Sequence, residues 1–204
     1  MQLRDQVAIV TGAASLRGIG WATARRFADE GARVAILDLD PVAAEEAARA
    51  VGALHLGLAC DVRDEAACRS AVQLVLDTFG RIDILVNNAG VSQSHRLMDS
   101  SQVDYDLVMD ASVRGAHNMS RAVVPHMRSR QQGAIVCMGS VAAQRGGGIL
   151  GGPHYSAAKG AIERWPRRWH ANSRPMAYGP TPSHRAWSTP TCWWARSTMP
   201  ANGA

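Results

Sequence analysis

Tyr155 and Lys159 stand four residues apart in "HYSAAKGAIE", and Ser140 precedes the tyrosine by fifteen residues. Four residues is about one helical turn, so a phenol and an ammonium would share one helix face. An ammonium at that spacing favours phenolate, and the ring oxygen could then exchange a proton with an alcohol or a carbonyl. The Ser140 hydroxyl can hydrogen-bond the same substrate oxygen. Lys159 is the only lysine among 22 basic residues. Where every other cation is an arginine, a compact point charge suits a site that a planar fork would not. The pair alone would also describe the surface of an amphipathic helix, so its meaning depends on what positions it.

Those positioning elements are short apolar runs: "VAIVTG", "RVAILDLD", "IDILVNNAG" and "GAIVCMGS". Runs of this kind, rich in β-branched residues and bounded by Gly, Asp or Asn, suit strands buried on both faces. Helical stretches separate them, over Ile19 to Glu30, Val42 to Val51, Glu65 to Phe79 and Val103 to Arg130. Gly31 and Gly80 fall where helices stop, and Ser101 with Asp104 has the spacing of a capping start. Strand alternating with helix predicts an α/β fold, a doubly wound parallel sheet that binds ligands beyond the carboxyl ends of its strands.

Each of those ends carries residues suited to a dinucleotide. After the first run comes "TGAASLRGIG", with Gly12, Gly18 and Gly20 opening a helix and Ser15, Arg17 and Ile19 among them. Glycines let backbone turn tightly near a pyrophosphate, whose charge a helix N-terminus favours. Asp38 ends the second run; a carboxylate there accepts ribose hydroxyls and repels a 2′-phosphate, which favours NAD over NADP although Arg17 pulls the other way. Asp61 and Val62 end the third strand, where Asp61 could meet the adenine amino group or serve as a helix N-cap. Asn88, Ala89 and Gly90 end the fourth, small enough for backbone to pass close to a cofactor.

Taken together, "TGAASLRGIG", "NNAG", Ser140 and "YSAAK" resemble the short-chain dehydrogenase/reductase family over roughly residues 6–162. The resemblance implies a Rossmann-type subunit of a homo-oligomer that interconverts an alcohol and a carbonyl with a nicotinamide cofactor. It implies that Ser140 orients substrate, that Tyr155 is the acid/base, and that Lys159 supports the tyrosine and binds the nicotinamide ribose. Three departures stand out. Five residues separate "TG" from "GIG" where the family commonly has three, and the Ser140-to-Tyr155 gap is long, with Gly146–Gly148 and Gly151–Gly152 to absorb it. The family's fourth catalytic residue, an Asn, is here Ser112, which could hold a relay water with a shorter reach. Asn118, six residues on, faces elsewhere on an α-helix. Gln93, Arg96, Gln144, Arg145 and His154 are candidates for a polar substrate pocket, suited to a polyol, a sugar-like molecule or a 3-oxoacyl thioester.

Composition divides the chain in two. Residues 1–163 form the dinucleotide-binding domain. From Arg164 to Ala204 there are six arginines, five of the six tryptophans, six of the nine prolines and no acid. The net charge of +5 therefore belongs to this tail and not to the domain; arginines among aromatics would also suit a nucleic-acid arm, but no nucleic-acid partner is expected. No run approaches the length of a membrane span, and Cys60, Cys68, Cys137 and Cys192 show no zinc spacing or disulfide density, so a reduced cytoplasmic setting without a metal is expected. Pro166 would break the helix two turns after Lys159. The tail reads as translation out of frame after Glu163: in a one-base shift each Trp codon yields Leu, Val or Met, and a helix, an apolar strand and a Pro-Gly loop become permissible in that order. The expectation is an oxidoreductase by ancestry whose last strands are missing or disordered, or else an inactive dinucleotide-binding remnant of one.

Overall fold

The computed structural model describes residues 1–147 and 151–164, with the backbone of 177–178 and 195–196. Nearly all of the tail, and with it the frame-shift reading, lies outside the described residues. Five parallel strands, β1 (Val7–Thr11), β2 (Arg33–Asp38), β3 (Leu56–Ala59), β4 (Ile84–Asn87) and β5 (Ala134–Cys137), lie in the order β3-β2-β1-β4-β5. The chain winds outward from β1 to β3, then returns past β1 to β4 and β5. That reversal opens a crevice at the carboxyl ends of β1 and β4. Ala177–Tyr178 and Ala195–Arg196, β6 and β7, form a two-residue antiparallel pair separate from this sheet.

Helices cover both faces because the strands are apolar on both. Val7, Ile9 and Leu37 pack with Val72 and Val75 of α3 (Glu65–Phe79) and with Met119 and Val123 of α5 (Gly115–Ser129). Their neighbours Ala8, Val10 and Ile36 pack with Ala24 of α1 (Ile19–Asp29) and with Ala47 and Ala48 of α2 (Pro41–Val51). β3 is an edge strand and only half buried, so its apolar run is weaker. Gly57 lets α2 lie directly on it, since any side chain there would strike the Ala44 carbonyl. At the amino ends of the strands, buried Asp83 accepts from Val7 N–H, Arg81 and Arg130.

The stretch expected as one helix from Val103 to Arg130 is three pieces. α4 (Gln102–Met109) begins at a Ser101–Asp104 capping box, as the spacing predicts. Residues Asp110–Arg114 form a π turn in which Gly115 N–H bonds Asp110 O, and α5 follows. α6 (Ala142–Arg145) and α7 (Pro153–Arg164) complete the described fold. Among the described residues no helix is long and apolar enough to cross a membrane.

Two histidines accept backbone protons: His55 Nδ1 from Val34 N–H at 3.1 Å, and His126 Nε2 from Ile82 N–H at 3.2 Å. Both rings must be neutral, and burial holds each below its ordinary 6.5, with Arg130 adding to the effect at His126. The unfolded chain therefore takes up protons first as pH falls. Their stabilisation is full above about pH 6.5 and is lost toward the lower folded values. Thermal melts should show Tm dropping as pH falls below about 6.5, with a shallower slope in a His55→Gln, His126→Gln variant.

Candidate active site

At the crevice, β1 and β4 are stitched by side chains. Thr11 Oγ1 accepts from Asn88 N–H at 3.1 Å and Ala89 N–H at 3.0 Å. Asn88 Nδ2 donates to the carbonyls of Thr11 and Gly12 at 2.9 and 2.8 Å. Asn88 thus sits at the predicted strand end, with its amide protons committed to bracing the two walls. Gly12 has φ +61, and a methyl there would stand 2.7 Å from Ala89 Cα; one at Gly20 would stand 2.5 Å from Asn88 Nδ2. Two of the three glycines are therefore required by the fit of the turn against β4 and its own strand. The two residues by which this turn exceeds the family's common length are accommodated in an exposed turn, Ser15 to Gly18, closed by Gly18 N–H to Ser15 O at 2.8 Å. Arg17 and Leu16 project on it. Gly18 is the N-cap of α1, with no side-chain cap and no acid in the first turn. Asp40, Asp64 and Ser101 cap α2, α3 and α4 with their side chains. The N–H groups opening α1 are left without a side-chain acceptor, as an anion site requires.

The two acidic strand ends are held differently. Asp38 accepts from Ala14 N–H through one oxygen and from Leu39 N–H through the other, tying β2 to the glycine turn. Asp61 accepts from the guanidinium and the N–H of Arg63, and that guanidinium lowers its carboxyl below the usual range. The N-cap of α3 is Asp64, which corrects the alternative reading of Asp61 as the cap.

At the other end, burial decides the chemistry. Lys159 is 6% exposed, and its Nζ donates to Met138 O at 2.7 Å, just past β5 and two residues before Ser140. Desolvation pushes the ammonium below its ordinary value. That bond uses one of three protons. The Tyr155 ring centroid lies 5.8 Å from Nζ, and Gly151 abuts the same ring so closely that a side chain there would overlap it. Ser112, 3% exposed, faces this point from the π turn: a methyl on Gly90 would stand 3.2 Å from Ser112 Oγ and 3.6 Å from Lys159 Nζ. Ser112 Oγ is buried without a hydrogen-bond partner, as are Gln93 Oε1 in the loop after β4 and His154 Nε2 in the first turn of α7. Ser140, half-buried, accepts Ala142 N–H at 3.2 Å. The structure thus gathers Gly90, Ser112, Tyr155 and Lys159 with the β5 end that leads into Ser140. Asp38 and Asp61 belong to the other half of the sheet.

Asn118, which faces elsewhere than Ser112 on the helix, has partners of its own. It is 6% exposed, and its Nδ2 donates to Val62 O and Arg63 O.

A sequence profile described as Enoyl-(Acyl carrier protein) reductase matches residues 12–174. The chain belongs to the short-chain dehydrogenase/reductase family. It is 49% identical over 169 residues to an uncharacterized short-chain type dehydrogenase/reductase, y4mP, of Sinorhizobium fredii, covering 79% of this chain and 66% of that one. Against the short-chain reductase protein NovJ of Streptomyces niveus identity is 39% over 175 residues, covering 84% and 65%. Against the D-threitol dehydrogenase of Mycolicibacterium smegmatis it is 43% over 145 residues, covering 70% and 55%. The chain therefore spans no more than about two thirds of the length of these relatives.

A buried hydroxyl without a partner costs stability. Ser112→Ala should therefore leave the ligand-free protein as stable as before or up to about 1 kcal/mol more stable in urea unfolding. A loss of stability would reveal a bond at Oγ.

Proposed function

We propose that this chain carries the site of an NAD-linked oxidoreductase that interconverts a secondary alcohol and a carbonyl. The observation that supports it most is the buried Lys159 ammonium, with one carbonyl partner, beside the unpartnered Ser112 hydroxyl and the Tyr155 ring. Two open ammonium protons in a desolvated position need acceptors, and ribose hydroxyls meeting at Gly90 would supply them. A nicotinamide dinucleotide, when bound, supplies or takes up the hydride.

The residues of this chain do the rest. Gly12, Ser15, Arg17, Gly18, Ile19 and Gly20 surround the pyrophosphate at the uncapped start of α1. Asp38 accepts the adenosine ribose hydroxyls and repels a 2′-phosphate, which is the case for NAD over NADP. Asp61 and Val62 meet the adenine, and Asn88, Ala89 and Gly90 form the wall along which the nicotinamide half lies. Ser140 orients the substrate oxygen, and Tyr155 gives it a proton or takes one. Lys159 stabilises the negative charge that develops on the phenol oxygen. Ser112 holds a water that carries the proton onward from Lys159. Catalysis in this reading takes place in a homo-oligomer of the cytoplasm. The unpartnered polar atoms of Gln93 and His154 favour a hydroxylated small molecule, and the threitol dehydrogenase among the relatives points the same way.

Tyr155→Phe should lower kcat by about 10³-fold, within the range of lost acid–base catalysis, and leave the Kd for NADH within about twofold. Stopped assays following NADH absorbance against D-threitol, simple 2-alkanols and a 3-oxoacyl thioester would identify the substrate class. The assays should be run on the chain as it stands and on a version with the frame restored after Glu163. NADH binding without turnover in the first and turnover in the second would support a dinucleotide-binding remnant; no NADH binding by either would overturn the assignment. Ser112→Asn, which adds an amide with longer reach, should raise kcat in whichever version is active, and an unchanged kcat would remove Ser112 from the relay.

A further inference from the structure

The loop from Cys60 to Asp64, between β3 and α3, is held from its inner side. Asp61 O accepts from Asp64 N–H at 3.0 Å. Val62 O accepts from the Cys68 thiol at 3.4 Å and from Asn118 Nδ2 at 2.9 Å, and Arg63 O accepts from the second Asn118 proton at 3.0 Å. Two successive carbonyls, those of Val62 and Arg63, are thereby turned toward α5. Helix α5 reaches the loop at two points on one face, since Gly115 and Asn118 are three residues apart. Gly115 has no side chain to spare: a methyl there would stand 2.5 Å from Val62 Cγ2. The helix therefore grips Val62 by its side chain and by its carbonyl. Gly115 is also the residue at which the π turn carrying Ser112 closes.

We propose that Asn118 is a positioning residue for the adenine end of the cofactor. This rests on the reading in which Asp61 and Val62 meet the adenine. Asn118 touches no substrate and none of the reacting groups; it acts through the loop. With Val62 O and Arg63 O drawn onto its amide, the outer edge of the loop is left to the Asp61 carboxylate, which Arg63 fixes in turn. Removing the amide frees two carbonyls at once, and the loop loses the anchor that sets the height of Val62 and Asp61 above the sheet. Because Gly115 and Asn118 belong to the helix that continues from Ser112, the adenine loop and the wall of the chemical site share one rigid support.

A role in general stability and a role in adenine placement make different predictions. Ligand-observed NMR can follow weak binding of AMP and of nicotinamide mononucleotide separately, beside NADH fluorescence for the whole cofactor. Asn118→Ala should weaken AMP by about tenfold, as expected for two lost hydrogen bonds behind a binding loop, and leave nicotinamide mononucleotide within about twofold. Gly115→Ala, whose methyl would press on the Val62 side chain from the same face of α5, should give the same selective loss and serves if Asn118→Ala does not fold. Equal weakening of both fragments, or unchanged AMP binding in folded variants, would overturn the proposal. A parent chain that binds NADH but whose variants show no selectivity sinks this inference alone; a parent chain that binds no NADH sinks the functional reading and this one with it.

Discussion

A parallel sheet that reverses its winding leaves two strand ends diverging, and the N–H groups just beyond them lose their ladder partners. The Thr11 hydroxyl replaces those partners. It receives Asn88 N–H and Ala89 N–H, while the Asn88 amide returns two bonds to the end of β1. These contacts link residues more than seventy positions apart in sequence, and nearly everything functional is measured from them. The glycine turn sits where it does because Gly12 and Gly20 fit against the braced end of β4. Gly90 follows the same brace, and the position of Gly90 sets how Ser112 and Lys159 face each other. A threonine and an asparagine, neither of which performs chemistry, fix the width of the crevice.

The two halves of the crevice have opposite character. On the β2–β3 side Asp38 and Asp61 are provided with donors from their own chain, and the Val62 and Arg63 carbonyls of the third loop are bonded to Asn118. On the β4–β5 side polar groups are buried ahead of their partners: an ammonium with a single acceptor, a serine hydroxyl with none, a histidine nitrogen and a glutamine oxygen likewise. Such groups lower stability in the ligand-free state, and proteins retain them where binding satisfies them. In the proposed reading the β2–β3 half is pre-formed, and the β4–β5 half is completed by what enters it.

How far the sequence revealed this depended on burial and on distance along the chain. β1, β2, β4 and β5 were legible because burial on both faces leaves uninterrupted apolar runs. β3, half-exposed at the edge, left a thinner trace. Gly80 and the Ser101–Asp104 box were legible because caps act over three or four residues. Residue types at the strand ends could be read, but their contacts could not. Asn88 was visible as a strand-end amide, while its bonds to Thr11 and Gly12 needed the sheet to close first. Asp61 looked like a cap, and only the start of α3 at Glu65 shows that Asp64 is the cap instead. The π turn at Asp110–Arg114 left no mark at all, because five residues of wider winding barely disturb the apolar period of a stretch nearly thirty residues long.

That turn has a consequence for how the chain tolerates change in length. A π turn holds one residue more than the α-helical path between the same two ends requires. A single-codon deletion anywhere from Asp110 to Arg114 could thus be absorbed by relaxation to regular α-helix, with α4 and α5 still packed as before. The residue facing Lys159 would then swing by about 100°. Drift in length at this point would be silent to folding and decisive for the side chain presented to the crevice, so the helix keeps its shape by one rule and its chemistry by another.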